Sequence, residues 1–267
     1  MYKHPLIISN KEIMGGYFMR YLVLTKRQFT VALSTVLVVV LAIVGTIGAF
    51  ATSERKLPIY CVENNKKQIA ISFDAAWGAD DTDQLISILK TYKVKATFFV
   101  VGAWVDKYPD EVKKLGEAGH RVENHSNSHP YMTKLSSDKM VSELKICNQK
   151  IKEITGREPV LFRPPYGDYN NAVIEAVQSV NMYTIQWSVD SLDWFESATP
   201  DSIIKNVTEK ATDGSIILMH NDAEHTPAAL PTILKALQDQ GYEFVLIEDL
   251  IYKDNYTIDH TGKQISK

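Results

Sequence analysis

Cysteine is scarce in this chain, with two residues among 267. The one pair available, Cys61 and Cys147, cannot supply the disulfide framework on which small exported domains depend. An excess of basic residues is also absent, because 29 Lys and Arg stand against 32 Asp and Glu and leave a net charge of -3. That balance gives no electrostatic basis for binding nucleic acid, and no nucleic-acid partner is expected.

Two common motifs are missing as well. No G-x-G-x-x-G segment follows the first predicted strand, which argues against a dinucleotide-binding fold. No G-x-S-x-G segment occurs, which argues against catalysis through a serine nucleophile. The composition, 45% hydrophobic and 23% charged, is that of an ordinary globular protein with room for one large core.

Charged residues are absent from residues 29–51. This apolar run exceeds the roughly 20 residues that a helix needs to span a bilayer. Because Lys26 and Arg27 precede it, we expect residues 1–28 in the cytoplasm, a single-pass anchor over 29–51, and the rest of the chain outside the cell membrane. Cleavage of a signal peptide near Ala51, which would secrete the domain, is the alternative.

The chain after the anchor divides into three parts. Residues 52–67 are polar and contain Pro58, so we expect a tether there. Residues 68–252 alternate between strand-like and helix-like patterns and are the predicted folded domain. Residues 253–267 form a polar C-terminal tail.

The alternation within the predicted domain is regular. Short apolar runs predict strands at 69–73, 96–102, 120–125, 160–163, 183–189, 215–220 and 242–247. Helical spacing predicts helices near 83–92, 109–118, 137–155, 170–180 and 227–239, and another from Pro200. Strands that alternate with helices in this way indicate an α/β fold with a parallel sheet.

Reactive side chains follow the predicted strands. Asp74, His125, Arg163, Asp190 and His220 each stand at the C-terminal end of a strand-like run. In a (β/α) barrel those ends converge on one face, where active sites lie. We therefore expect a distorted (β/α) barrel of about seven strands, preceded by one N-terminal transmembrane helix.

The segment HSNSH places His125 and His129 four residues apart. On a helical turn this spacing directs both imidazoles to one point, which suits zinc or a similar divalent ion. Two solvent-facing histidines in a polar loop would show the same pattern. The segments RPPYG and DSLDW add an arginine beside a rigid loop and two acids beside a tryptophan, although both also occur as structural turns and core segments.

Five segments, taken in order, resemble the polysaccharide deacetylases, the NodB-homology domain of carbohydrate esterase family four. They are SFDAAWG at 72–78, HSNSH at 125–129, RPPYG at 163–167, DSLDW at 190–194 and LMH at 218–220. The resemblance covers residues 68–250. Its FDAAWG form is most similar to the membrane-anchored, sporulation-associated branch in Gram-positive spore formers. The family fold is a distorted (β/α) barrel, which agrees with the fold expected above.

The resemblance implies a role for each matching residue. Asp74 matches the general base that deprotonates the attacking water, and His220 matches the general acid that protonates the leaving amine. His125 and His129 match two metal ligands. The remaining matches support these groups or bind substrate: Arg163 pairs with the base, Asp193 supports the acid, Tyr166 offers its backbone N–H to the oxyanion, and Pro165, Trp194 and Leu218 contact the substrate.

One position departs from the family pattern. Most members have two consecutive aspartates in the first segment, and the second is the third metal ligand, but here that position is Ala75. Asp80 is the candidate replacement if the AAWGA loop folds back. The expected cofactor is a divalent metal ion, with zinc preferred, although a catalytic zinc site normally keeps three protein ligands.

The resemblance implies hydrolytic N-deacetylation of cell-wall glycan, either peptidoglycan or a related polymer of N-acetylglucosamine and N-acetylmuramic acid, by a monomer. Two alternatives stay open. The absence of a third ligand at Ala75 allows a catalytically degenerate protein that binds glycan or assists assembly. The same groups would also suit an ester deacetylase acting on xylan-like polymers.

Overall fold

The computed structural model describes residues 25–49 and 54–267, with the side chains of residues 41–49 left outside that description. These residues form two compact units, one up to Glu54 and the other over Arg55–Lys267. The predictions for residues 1–24 of the cytoplasmic segment lie outside the described residues.

The described part of the first unit is one helix, α1 (Lys26–Ala49). A reciprocal cap begins it, because Thr25 Oγ1 accepts a hydrogen bond from the Gln28 N–H and Gln28 Oε1 accepts one from the Thr25 N–H. The helix covers most of the predicted anchor at 29–51, whose last residues lie outside the described ranges. Among the described residues, no helix is both long and apolar enough to cross a membrane.

The second unit contains two sheets flanked by helices. Its strands are β1 (Cys61–Val62), β2 (Gln68–Ala75), β3 (Thr97–Val100), β4 (Arg121–Asn124), β5 (Leu161–Phe162), β6 (Tyr183–Thr184), β7 (Val189–Asp190), β8 (Ile216–His220), β9 (Glu243–Phe244), β10 (Tyr256–Ile258) and β11 (Lys263–Ser266). Its helices are α2 (Thr82–Thr91), α3 (Gly102–Lys107), α4 (Pro109–Glu117), α5 (Ser137–Thr155), α6 (Asn171–Ser179), α7 (Pro200–Lys210), α8 (Thr226–Asp239) and α9 (Ile247–Leu250), with 3₁₀ turns at Met132–Lys134 and Pro165–Gly167.

The larger sheet has seven parallel strands in the spatial order β6-β5-β4-β3-β2-β8-β7, with β9 added beside the start of β2. The sheet curls but stays open, because β6 and β7 are its edge strands and do not pair with each other among the described residues. The predicted α/β architecture is therefore confirmed as a half-barrel of seven parallel strands.

The predicted single strand at 183–189 is wrong. This segment contributes β6 and β7 at the two opposite edges of the sheet, and the residues between them cross the opening. The Ile185 N–H donates to the Phe162 carbonyl on one side, and the Ser188 N–H donates to the Ile216 carbonyl on the other. The run looks like one strand in the sequence because both of its ends are apolar and extended.

The strand β2 shows how the sequence directs side chains inward. Successive residues of a strand point to opposite faces. Ile71 and Phe73 pack in the large apolar cluster that includes residues of α2, α4, α7 and α8, whereas Ala70 belongs to a separate cluster with Phe99 of β3. Asp74 lies on the same face as Ala70, so the alternation places its carboxylate inside the half-barrel.

The predicted tether at 52–67 is corrected by the structure, because from Leu57 onward the chain is part of the domain. The Ile59 N–H donates to the Thr184 carbonyl, the Ile59 carbonyl accepts from the Gln186 N–H, and the Ile59 side chain is buried. Residues 57–62, here termed the N-terminal strap, thus line the open edge beside β6. A polar stretch with isolated apolar residues carries no periodicity that would predict this.

The predicted polar tail at 253–267 is also structured. It forms β10 and β11, and β11 pairs in parallel with β1 of the strap. One close approach fixes the strap, since the Val62 N–H donates to the Gly214 carbonyl and a Cβ on Gly214 (φ 76°) would collide with the Val62 carbonyl. Only glycine fits that position. The folded unit is therefore Arg55–Lys267 rather than the predicted 68–252.

Candidate active site

Polar side chains meet at the C-terminal ends of the strands. Asp74 on β2 is the register partner of His220 on β8, and His125 and Arg163 directly follow β4 and β5. Arg163 Nη1 donates to Asp74 Oδ1 at 2.8 Å, and Asp74 Oδ2 lies 3.6 Å from His125 Nε2. Residues from four separated segments of the sequence are therefore in one place, as the strand-end pattern predicts.

Arg163 is fully buried beneath Asp74. Its Nη2 donates to Ser72 Oγ at 2.9 Å and to the Gln186 carbonyl at 3.3 Å, and its guanidinium lies 4.2 Å from the centre of the Phe99 ring. Ser72 has no predicted role from the sequence. The spacing in the sequence could have indicated one, because Ser72 lies two residues before Asp74 and both side chains are therefore on the same face of β2.

Two opposing effects set the protonation of Asp74. Burial raises its pKa, but the positive charge of Arg163, followed by the charges that His125 and His220 carry when protonated, lowers it further than burial raises it. The net pKa of Asp74 is below its ordinary value. The carboxylate is therefore ionised at neutral pH, as a general base must be.

His125 is held in one tautomer. Its Nδ1 lies 2.7 Å from the Arg163 carbonyl oxygen, which can only accept, so Nδ1 carries the proton and the Nε2 lone pair faces Asp74. Burial lowers the pKa of His125, and burial followed by the charge of His125 lowers the pKa of His129 to about 4. Both rings are neutral at neutral pH, which is the form that binds metal.

The two imidazoles come together on a strained loop and not on the helical turn suggested by their spacing. Ser126 (φ 67°) and His129 (φ 58°) both occupy the left-handed region. Asn124 Oδ1 accepts from the Ser126 N–H at 2.7 Å, and Ser126 Oγ accepts from the His129 N–H at 3.0 Å. These bonds hold the ring centres of His125 and His129 5.0 Å apart.

The donor set at this point is incomplete for a catalytic metal. Ala75 supplies no ligand atom and is buried in the same apolar cluster as Phe73. Asp80 is exposed, and its charge is among the smaller effects that raise the pKa of Lys107. The role of Asp80 as a third ligand stays a prediction. Within residues 25–49 and 54–267, no three His, Cys, Asp or Glu side chains form a group that would hold a metal ion. The side chains present here would therefore bind a divalent ion through two imidazoles only, those of His125 and His129.

On the side of the site that carries His220, both carboxylate oxygens of Asp193 have hydrogen-bond partners. Asp193 is buried, and its Oδ1 lies 2.8 Å from His220 Nδ1, while its Oδ2 accepts from the His220 N–H at 2.8 Å and from Thr226 Oγ1 at 2.6 Å. Burial lowers the pKa of His220, but the hydrogen bond and charge of Asp193 outweigh it and raise the net pKa. Thr226 has no predicted role, because only the fold brings the start of α8 beside Asp193.

The predicted substrate-binding residues differ in accessibility. Trp194 is half exposed and stacks on Phe195, whereas Leu218 and Pro165 are buried. Tyr166 adopts φ 58°, and its exposed ring packs edge-on against His129. Tyr166 thus lies beside one of the two candidate metal ligands, and the role of its backbone N–H stays a prediction.

Comparison with known proteins adds to this geometry. The sequence profile described as Polysaccharide deacetylase matches residues 62–185. The peptidoglycan-N-acetylglucosamine deacetylase of Bacillus cereus is 37% identical over 195 residues, which cover 71% of this chain and 91% of that protein. The chain belongs to the polysaccharide deacetylase family. Peptidoglycan-N-acetylglucosamine deacetylase PgdA of Listeria monocytogenes is 38% identical over 201 residues, or 75% of this chain but 42% of that protein. The chain thus spans about two fifths of that relative's length.

A solved polysaccharide deacetylase structure raises the question of activity. Wild-type BA3943, a CE4 family pseudoenzyme from Bacillus anthracis, is 36% identical with a TM-score of 0.70, and the match covers 73% of this chain and 69% of that chain. A BA3943 mutant with restored enzymatic activity is 37% identical, also with a TM-score of 0.70, over 73% of this chain and 71% of that chain. Because this fold is found with and without activity, the site residues decide function here.

Proposed function

We propose that the domain hydrolyses the acetamide of N-acetylated sugars in peptidoglycan. The observation that carries this proposal is the pairing of Asp74 with His220 on neighbouring strands, one ionised at neutral pH and the other with a raised pKa. Matched acids and bases of this kind are characteristic of proton-transfer sites. The two relatives named for peptidoglycan N-acetylglucosamine support the choice of substrate.

The reaction follows from these two residues. Asp74 accepts the proton of the attacking water, and His220, whose protonated form Asp193 favours, gives a proton to the nitrogen as the carbon–nitrogen bond breaks. The Tyr166 N–H stabilises the oxyanion, and Trp194 contacts the acetyl group. A divalent ion held by His125 and His129 would polarise the acetyl carbonyl when bound.

Acetate release tests the proposal. Wild type, Asp74→Asn and His220→Ala are incubated with peptidoglycan and with N-acetylglucosamine oligomers in the presence of zinc. Each substitution should lower the rate by roughly 10²–10⁴-fold, the usual contribution of a general base or acid. Asp138→Asn, on the exposed start of α5, is the matched control and should keep the wild-type rate. Equal rates in all four proteins would refute the proposal.

The second candidate is a glycan-binding or assembly protein without catalysis. Ala75 in place of a metal ligand favours it, as does the likeness to the pseudoenzyme BA3943. Metal analysis of the purified full-length chain discriminates the two candidates. Failure to retain a stoichiometric ion, together with no acetate release, would establish the second one. Release of acetate from acetylated xylan but not from peptidoglycan would instead identify an ester deacetylase.

We also propose that the protein is a single-pass membrane protein whose domain lies outside the membrane. We propose further that it is a monomer and that it acts in spore formation. The support is the uncharged run at 29–51 preceded by Lys26 and Arg27, and the FDAAWG form of the first motif. Protease protection in intact cells tests the orientation. Protein in the culture medium that begins after Ala51 would show secretion, and expression restricted to growing cells would contradict the role in spores.

A further inference from the structure

Trp77 is an exposed tryptophan inside the first motif for which the mechanism has no use. Its side chain is 54% exposed, although it lies two residues from the buried end of β2. Trp104, which contacts the same loop, is by contrast 2% exposed and belongs to the core. This exposure leaves the indole available to a ligand that reaches the site.

The loop that carries Trp77 is fixed. The Gly78 carbonyl accepts from Trp104 Nε1 at 2.8 Å and from Asn221 Nδ2 at 2.6 Å, and the Gly78 N–H donates to Asp222 at 3.0 Å. A Cβ at position 78 would collide with the Asp222 carboxylate. The indole is therefore attached to a rigid point, which lowers the entropy cost of binding a ligand on it.

The indole of Trp77 also packs against His220, the proposed proton donor. The ring centres of Trp77 and His220 are 5.8 Å apart at an interplanar angle of 28°. Asn221, the residue after His220, holds both the Gly78 carbonyl and, through its own N–H, the Asp74 carbonyl at 3.2 Å. One short segment thus positions the indole, the acid and the base together.

We propose that Trp77 is a sugar-binding platform of this site: one face of the indole packs on His220, and the other stacks on the pyranose ring next to the one that carries the scissile acetamide. The inference rests on the proposed function for the identity of the sugar. A pyranose is the ligand that fits, because its axial C–H groups form an apolar face that stacks on an aromatic ring, while its hydroxyls stay in water. Because the indole lies between the stacked ring and His220, the stacked sugar is the neighbour of the unit that His220 protonates, and binding it positions the chain along the site.

Binding of the β-1,4-linked N-acetylglucosamine tetramer to the full-length chain tests the platform. Isothermal titration compares wild type, Trp77→Ala, Trp77→Phe and, as a control outside the domain, Phe29→Ala. Trp77→Ala should weaken the Kd by about tenfold or more, which corresponds to ~1.4 kcal/mol. Trp77→Phe should recover most of the affinity because it restores an aromatic face, and Phe29→Ala should match wild type. Saturation transfer by NMR from aromatic protons to the sugar ring protons should be weaker in Trp77→Ala than in wild type.

The outcomes separate this inference from the proposed function. Acetate release by wild type with an unchanged Kd in Trp77→Ala would overturn the platform and leave the function standing. Tetramer binding that depends on Trp77 without acetate release under any metal would support the platform and overturn the function. Absence of tetramer binding by wild type would overturn the platform. An unchanged melting temperature in Trp77→Ala shows that any loss of affinity is local.

Discussion

The site has a proton-donating half, formed by His220 and Asp193, and a metal half, formed by His125 and His129. The first has all the groups that its role requires, whereas the second lacks a ligand. On the donating side, Asp193 accepts hydrogen bonds from the His220 ring, the His220 backbone and Thr226. On the metal side, hydrogen bonds likewise hold the His125 ring and the His129 backbone, but the position of the family's third metal ligand is occupied by Ala75. Proton transfer and metal binding are thus separable properties of one site, and a chain can keep the first while losing part of the second.

The ion pair between Asp74 and Arg163 joins the two halves, and breaking it should have the largest effect. Arg163→Gln leaves the Asp74 carboxylate buried without its cation, which should lower the free energy of unfolding by about 3–5 kcal/mol. Urea denaturation measures the loss. The pKa of Asp74 is depressed in the folded state, so this stability is present above the ordinary aspartate pKa and is lost as pH falls through the folded one.

A double variant controls that experiment. Arg163→Gln combined with Asp74→Asn removes both buried charges and should recover part of the stability that Arg163→Gln alone loses. If the two losses simply add, the pair is not coupled, and the link between the halves of the site is absent.

Asp193→Asn should have the next largest effect and touches the donating half alone. His220 acts in its protonated form, and Asp193 raises its pKa, so wild type keeps activity to a higher pH than an ordinary histidine would allow. The substitution lowers that pKa, and the basic limb of the kcat/KM profile should move to lower pH, with a fall in kcat of roughly 10²-fold. A basic limb that stays in place would show that His220 is not the acid.

Ala75→Asp tests the metal half alone. A carboxylate beside His125 and His129 should complete a three-ligand set and tighten zinc binding by about tenfold or more, as measured by titration calorimetry. Ala75→Asn, similar in size but uncharged, is the matched control and should gain much less. Because Ala75 packs in the apolar cluster with Phe73, equal zinc binding by wild type and Ala75→Asp would show that position 75 does not face the histidines.

The smallest effect is expected from Thr226→Val. The substitution keeps the side-chain shape but removes one of the three hydrogen bonds to Asp193, which is worth about 1 kcal/mol. We therefore expect a fall in kcat/KM of less than tenfold at the pH optimum, well below that of Asp193→Asn. A fall as large as that of Asp193→Asn would mean that a single bond orients the whole donating half.

Much of the fold was predictable because its signals are local. The helix α5 runs over Ser137–Thr155 as predicted, and it ends at Gly156, which adopts φ 70°. The strap and the C-terminal strands were not predictable, since Ile59 pairs with Ile185 and β1 pairs with β11 across most of the chain. Short segments whose partners are this distant show no periodicity of their own.

The site divides in the same way. Asp74, Arg163 and His220 were predictable because parallel strands bring their C-terminal ends together. The position of Asp80 could not be predicted, because the direction of the loop after β2 is set by distant contacts, above all the bond from the Gly78 N–H to Asp222. Thr226 was unpredictable for the same reason, since nothing in the sequence near α8 indicates its proximity to Asp193.

The N-terminal strap has a mechanical consequence. Tension applied to the chain ahead of Leu57 would first load the contacts of Lys56 with Asn171 and Glu175 of α6, and then the hydrogen bonds of Ile59 and Val62, which join the strap to β6 and to the turn at Gly214. None of these bonds involves β2 or β8, the strands that carry Asp74 and His220. A pulling force from the N-terminal side would therefore break contacts at the open edge of the half-barrel before it disturbed the strands that carry the site.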